Sequence, residues 1–377
     1  MIRFNPPYRT NKELNNIRDA INNGNLSGNG KYTKKCSNLL STYLSNPAKV
    51  LITHSCTAAL EMAAILLNIK PGDQIIMPSY TFVSTANAFV LRGGIPVFID
   101  IRNDTLNIDE TLIEGAITKK TKAIVVVHYA GVACEMDKIL KIAKKNRLAV
   151  IEDAAQALGS SYKNKKLGTI GDIATFSFHE TKNITSGEGG ALVVNNSKFA
   201  KRAELIWEKG TNRNLFFKGK IDKYTWVDIG SSFLPSEIVS AFLLSQLQNI
   251  RQINKLRMNK WKIYKKLFSK LSKENLIETQ NIPKNVSHNA HMFYILVKDS
   301  YQRDKILNKM KKNNISAIFH YIPLHNSFAG KKFGKIGSKM NVTNSIHNRI
   351  IRLPLYPKIQ EKVIKKIFNI SNNIINN

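Results

Sequence analysis

The 377-residue chain is poor in cysteine, in acidic residues and in long apolar runs, and each shortage removes a class of protein. Its three cysteines, Cys36, Cys56 and Cys134, are scattered and odd in number. They argue against a disulfide framework or a CxxC metal site, and reduced thiols in a cytoplasm are expected. No apolar run approaches the roughly 20 residues needed to cross a bilayer. The best candidate, 50–69, is broken by His54, Ser55, Thr57 and Glu61, so no membrane partner is expected. The N-terminal "MIRFNPPYRTNKE" has no apolar core, and no secretion signal is expected from it. With 26 Asp+Glu against 57 Lys+Arg, the formal charge is +31. The lysines are spread through most helix-patterned segments instead of clustering with stacking aromatics, so the excess implies solvated helix faces and not a nucleic-acid partner. It would also attract a small anionic substrate.

What is present is an alternation. Strand-length apolar runs stand at 49–53, 74–78, 95–101, 122–129, 148–153, 173–178 and 189–194, with helix-patterned stretches at 58–67, 84–92 and around 137–145. Short β-branched strands between helices predict an α/β fold whose mainly parallel sheet is covered on both faces. The pattern changes around 246–271, where apolar residues fall near helical spacing over a long stretch. Two domains are therefore expected, a large one at 1–245 and, from 246 to 377, a linking helix with a smaller α+β domain. In the small domain, "MFYILV", a helix at 303–312, "SAIFHY" and a terminal helix after Pro357 are expected.

Ligands of parallel sheets sit beyond the carboxyl ends of the strands, so functional residues are expected at the strand ends. Asp153 ends "LAVIED", and Gln156 follows it by one helical turn. Ser177 ends the next apolar run, and Lys182 follows within "HETKNITSGEGGA". "HSCTAAL" opens a helix with Cys56 and Thr57, whose exposed N–H groups suit an anion. "PSYTFVSTANAF" offers aromatic faces, Phe82 among them. Each element alone has an ordinary structural reading, as a cap or as core. Together and in this order they supply what pyridoxal phosphate requires: a lysine to carry it, a carboxylate for its ring nitrogen, a helix start for its phosphate and an aromatic face.

Other chemistries find less support. "SGNGKYT" (27–33) has Tyr32 where a nucleotide-binding loop needs Ser or Thr, and reads as a loop. His288 with His291, and His320 with His325, lack a third ligand at suitable spacing, so no metal is expected.

The stretches "SCTAALEMAA", "PGDQIIMPSYTFVSTANAFVLRGG", "VIEDAAQALGS", "GDIATFSFHETKN", "EKGTNR", "FHYIPLH" and "RLPLYP" carry a resemblance along nearly the whole chain. In them the sequence resembles the DegT/DnrJ/StrS family of sugar-nucleotide aminotransferases. The resemblance implies fold type I, with a seven-stranded sheet in the large domain. It implies that Lys182 binds pyridoxal phosphate covalently, that Asp153 pairs with the ring nitrogen and that Gln156 approaches the ring hydroxyl. Phe82 would stack on the ring, while Cys56, Thr57 and Ser177 would hold the phosphate. His179 would lie close to the reacting centre, and His320 and Tyr321 would contact substrate. An asparagine that many relatives contribute to the partner subunit's phosphate falls at Ser232, so that contact is either lost here or made by a hydroxyl. The implied reaction moves an amino group from L-glutamate to C4 of a dTDP-linked 4-keto-6-deoxy sugar for surface polysaccharide synthesis, giving the galacto product, with the gluco epimer or a 3-amino sugar as the alternative, in a homodimer with active sites near the subunit interface. A same-fold dehydratase would carry histidine where Lys182 stands, so transamination is expected.

Overall fold

A computed structural model describes residues 1–376. Among the described residues the largest sheet has eight strands, in spatial order Lys49–Thr53, Gly190–Val194, Ile173–Ser177, Ala149–Asp153, Thr121–Val127, Gln74–Pro78, Ile95–Ile99 and Lys335–Ile336. Seven are the runs expected from the sequence. The eighth is a correction to the expected seven, since Lys335–Ile336 returns from the C-terminal part of the chain and pairs parallel with Val97 and Phe98. All neighbours are parallel except at Gly190–Val194, which runs antiparallel to both flanking strands. Buried side chains on both faces explain why these strands read as unbroken apolar runs. One face packs under Ile124, Val126, Val150 and Phe176, the other under Leu51, Ile75, Val125 and Ile151.

Two helices depart from the expected pattern. "SGNGKYT" is a loop only as far as Gly30, and Lys31–Tyr43 is helical. The buried Glu237 carboxylate caps that helix from a distant segment, accepting the N–H groups of Gly30, Tyr32 and Thr33. A cap supplied across the fold leaves no local sequence signal. The long helix expected at 246–271 is also divided. Glu237–Gln248 ends at Asn249, and Ile250–Lys273 starts anew.

Beyond it a three-stranded sheet orders Glu278–Thr279, Phe293–Leu296 and Ile350–Leu353. It packs with the helices Ile250–Lys273, Ser300–Lys312 and Glu361–Ile375 around Tyr264, Phe268, Phe293 and Ile351. "SAIFHY" makes only a bridge, Ile318 to Arg352, and the full strand is Ile350–Leu353. The segment is thereby free to bend toward the large sheet.

Candidate active site

A cavity of about 620 Å³ opens at the carboxyl ends of the central strands. Of the eleven residues singled out in the sequence, ten line it: Cys56, Thr57, Phe82, Asp153, Gln156, Ser177, His179, Lys182, His320 and Tyr321. Ser232 does not. It is exposed and bridges Glu208 outside this cavity.

Successive carboxylates at Glu152 and Asp153 point to opposite faces of their strand. Glu152 is fully buried on one side. Burial opposes its ionisation, but His128 at 2.9 Å and the N–H groups of Gly168 and Gly171 hold its carboxyl below the usual range. That makes it a structural anchor. Asp153 faces the cavity, accepting from the Thr85 hydroxyl at 2.7 Å and the Ala155 N–H at 3.2 Å. Burial pushes its carboxyl above the ordinary range despite these donors and Lys182. A carboxylate in such a place gains from a cationic partner.

Lys182 follows a tight turn in which its N–H donates to the His179 carbonyl at 2.9 Å. The next residue locks the turn. Asn183 donates to Asn254 Oδ1 and to the Asn289 carbonyl, both at 2.9 Å, and its own Oδ1 lies 3.1 Å from His291 Nδ1. Asn5 donates to the Thr181 carbonyl and accepts from Arg257, which is itself fully buried. Lys182 is open to the cavity and otherwise enclosed by protein. Desolvation there pulls its ammonium below the usual lysine range, against the attraction of Cys56 and Asp153. An uncharged amine is thus accessible nearer neutrality than for a surface lysine.

The helix Cys56–Leu66 starts at the same cavity. Ser55 caps it, its Oγ accepting the Ala58 N–H at 3.0 Å. The N–H groups of Cys56 and Thr57 lie in the first turn and have no helical acceptor. Thr57 and Ser84 hydroxyls pair at 2.8 Å beside them. The strand carrying Gly190 passes so close that a Cβ there would lie 2.4–2.5 Å from Ser55 and Cys56 backbone atoms. Gly190→Ala should therefore displace the helix start and cost about 1–3 kcal/mol. Thermal unfolding would show the loss, and a cofactor titration would show weakened phosphate binding.

The other residues complete the cavity, with His320 and Tyr321 reaching it from the C-terminal part of the chain. Gln156 accepts the Ala130 N–H at 2.7 Å and donates to the Tyr321 hydroxyl at 3.1 Å. Tyr321 lies against His320, 6.4 Å from the Phe82 ring. Phe82 is 56% exposed, leaving a ring face toward the cavity. His179 stands at the rim, where its Nδ1 is 2.9 Å from the Thr181 hydroxyl and its Nε2 is 3.5 Å from Glu188. Its contacts shape the lysine turn. His291 and His325 are likewise bonded to protein groups, the latter to Ser79 and Asn344.

Thr85, Tyr129 and Arg352 were not singled out from the sequence. Thr85 sits one helical turn after Thr81, to which it bonds at 2.8 Å, but nothing local shows that it also reaches Asp153. Tyr129 ends a strand-like run and contacts His320 at 3.1 Å. Arg352 lay inside "RLPLYP", where its polarity amid apolar neighbours was the available signal.

The doubly covered sheet, with a lysine and a carboxylate meeting at its strand ends, is the fold type I architecture of pyridoxal-phosphate-dependent aminotransferases. Comparisons with known proteins carry this further. The profile of the DegT/DnrJ/EryC1/StrS aminotransferase family matches residues 7–371, and the chain belongs to that family. It is 37% identical over 387 residues to the uncharacterised protein MJ1066 of Methanocaldococcus jannaschii, spanning 100% of this chain and 99% of that protein. It is 31% identical over 362 residues to GDP-perosamine synthase of Escherichia coli O157:H7, spanning 95% and 94% of the two. Among solved structures, the sugar aminotransferase Spr1654 of Streptococcus pneumoniae in its PMP form superposes with a TM-score of 0.92. The identity is 27%, covering 100% of this chain and 99% of that one.

The residues present fit pyridoxal phosphate. The helix start at Cys56 and Thr57 with the Gly190 cradle suits its phosphate, the buried Asp153 suits a protonated ring nitrogen, and Lys182 is an amine of lowered basicity. The chain is a sugar aminotransferase that uses this cofactor.

Proposed function

We propose that the enzyme transfers the amino group of L-glutamate to C4 of dTDP-4-keto-6-deoxy-D-glucose, giving dTDP-4-amino-4,6-dideoxy-D-galactose and 2-oxoglutarate. The observation that carries the transaminase chemistry is the meeting of Lys182 and Asp153 in one cavity. Bound pyridoxal phosphate supplies an electron sink for the donor's α-carbon. Asp153 would hold the ring nitrogen protonated, with Thr85 and the Ala155 N–H fixing the carboxylate. Cys56, Thr57 and Ser177 would hold the phosphate, Phe82 would cover the ring and Gln156 would approach its hydroxyl. Lys182 Nζ takes the proton from the α-carbon of glutamate, and in the second half returns one to C4 of the sugar. His320 and Tyr321 would contact the sugar, while the bonds of His179 favour a positioning role over proton transfer.

A homodimer belongs to the same reading. Ser232 is exposed and outside its own chain's cavity, and nearby Phe217, Tyr224 and Trp226 are 63%, 50% and 77% exposed. Such a surface suits burial by a second copy, to whose phosphate site Ser232 would reach. The proposed division at 245/246 falls within the helix Glu237–Gln248, just before the break at Asn249. The unpaired Cys36, Cys56 and Cys134 accord with a reducing cytoplasm.

The sugar carrier is what an assay must decide, because one relative is named for a GDP-linked product. Purified enzyme with L-glutamate and dTDP-4-keto-6-deoxyglucose should yield a 4-amino sugar. Proton coupling constants should show the axial amine of the galacto isomer. An equatorial amine, or turnover only with a GDP-linked ketosugar, would replace this substrate assignment.

A further inference from the structure

The positive charge is unevenly shared along the chain. Residues 246–377 hold 26 of the 57 Lys+Arg but only 5 of the 26 Asp+Glu. A general abundance of lysine would not by itself deplete one part in carboxylates. The depletion is sharpest in the helix Ile250–Lys273, which has no acidic residue at all. Its exposed lysines are Lys255, Lys262, Lys266, Lys270 and Lys273. At about 100° per residue they fall within a stripe about 80° wide. Trp261, Tyr264, Phe268 and Leu271 are buried on the opposite side. Like charges at i,i+4, as in the series Lys262, Lys266, Lys270, oppose helix formation, so the stripe costs the free protein stability.

Two more helices continue the face. Glu361–Ile375 packs against Ile250–Lys273 on one side and Ser300–Lys312 on the other. All three bury their apolar residues against one side of the three-stranded sheet, with Phe293, Ile295 and Ile351. Away from the sheet, Glu361–Ile375 exposes Lys362, Lys365 and Lys366, and Ser300–Lys312 exposes four lysines more. Across the three helices twelve exposed lysines meet two exposed carboxylates, Asp304 and Glu361, and Glu361 is paired with Lys365 at 3.0 Å. An open groove of about 670 Å³ runs between the last two helices beside Tyr301, which is 77% exposed. The other side of the sheet, with Tyr294 and Leu296, packs with Tyr80, Tyr129 and the cavity residue Tyr321. The basic face therefore points away from the chemistry. Read helix by helix these lysines look like solvated faces, and only packing sets them side by side.

The longest of the helices runs about 36 Å, and three abreast make a broad face. Its exposed cations are lysines, with Arg251 the one exposed arginine on these helices. Arginine forks suit the fixed phosphates of a nucleic acid, whereas the point charges of lysine suit a mobile array of anions. The face has no aromatics interleaved for base stacking, since Tyr301 stands alone among its exposed large apolar residues. No helix among the described residues is long and apolar enough to cross a membrane, so contact with a bilayer would be made at its surface.

We propose that this face docks the protein on a bilayer surface bearing anionic lipid, held by its lysines and without insertion of the helices. Each lysine adds attraction without needing an exact geometry, and the attraction falls off within a Debye length. The lipid headgroups relieve the repulsion along the stripe. Docking of this kind does not depend on which sugar the enzyme aminates.

The test is co-sedimentation of cofactor-loaded native enzyme with vesicles of phosphatidylcholine alone or mixed equally with phosphatidylglycerol. Native enzyme should sediment with the mixed vesicles at about 0.1 M salt and be released at about 1 M, where the Debye length falls to about 3 Å. Phosphatidylcholine alone should leave it in solution. Lys262, Lys266, Lys362 and Lys366 have no ion-pair partner among the described residues, unlike Lys270 and Lys365. Changing these four together to Gln should weaken binding to the mixed vesicles at least about 100-fold, each lysine contributing roughly fivefold. That variant should keep its reaction with glutamate and unfold at or above the native temperature, because repulsion is relieved. The same loss of four charges at the exposed Lys119, Lys141, Lys144 and Lys201 of the large domain should leave vesicle binding near the native level. Native-like binding by the first variant, or equal weakening by both, overturns the assignment to this face. Failure of native enzyme to sediment with the mixed vesicles at low salt, or tighter binding to duplex DNA in competition, overturns the lipid partner.

Discussion

Lys182→Ala should abolish transamination, lowering kcat by at least about 10⁴-fold, the upper range for loss of a positioned acid–base group. Two losses combine in this variant. The covalent anchor for the cofactor goes, and so does the one amine in the cavity whose basicity burial has lowered. The fold should survive, because the turn is held by neighbours and not by the lysine itself. Asn183 binds Asn254, Asn289 and His291, and Asn5 binds the Thr181 carbonyl. Purified native protein should show a visible cofactor band that borohydride bleaches and traps at Lys182. K182A should lack that trapped adduct while keeping the unfolding temperature of cofactor-free native protein. A variant that retained full turnover would show that proton transfer lies elsewhere.

Asp153→Asn should separate catalysis from stability. In the loaded enzyme the neutral amide cannot hold a protonated ring nitrogen, and losing one partner of a buried ion pair costs about 3–5 kcal/mol, on the order of 10³-fold in rate or affinity. In the cofactor-free protein the sign reverses. Burial holds the Asp153 carboxyl above its unfolded value, so the folded state loses stability as pH rises through that range. Asparagine removes the charge, keeps the shape, and can still accept from Thr85. Cofactor-free D153N should thus unfold at or above the native temperature at neutral pH, while its cofactor-loaded form gains less stabilisation than the native enzyme does. Thermal unfolding with and without pyridoxal phosphate reads both effects. Equal stabilisation by the cofactor in both proteins would place the ring nitrogen away from Asp153.

Much of the sheet was legible because strands covered on both faces are continuous apolar runs. Lys49–Thr53 and Gln74–Pro78 fall where the runs stand, and the others shift by one or two residues. Elements with half-polar patterns were harder to see. Glu13–Asn22 and Lys31–Tyr43 went unread because their apolar residues are sparse and the second is capped by Glu237 from far along the chain. "SAIFHY" has the composition of a strand but makes a single bridge, since its polar end must carry His320 and Tyr321 to the cavity.

The sequence by itself determined the order of strands and helices, the strand-end positions of Asp153 and Lys182, and the family. These depend on local periodicity and on motifs that the backbone expresses within a few residues. Only the tertiary structure decided which of Glu152 and Asp153 faces the cavity, that Thr85 holds the latter, and that Ser232 lies outside its own chain's site. It also decided that lysines from three separate helices share one outward face. Side-chain direction at a strand end and the pairing of buried charges depend on which distant segments arrive, and burial then sets the protonation on which the chemistry depends.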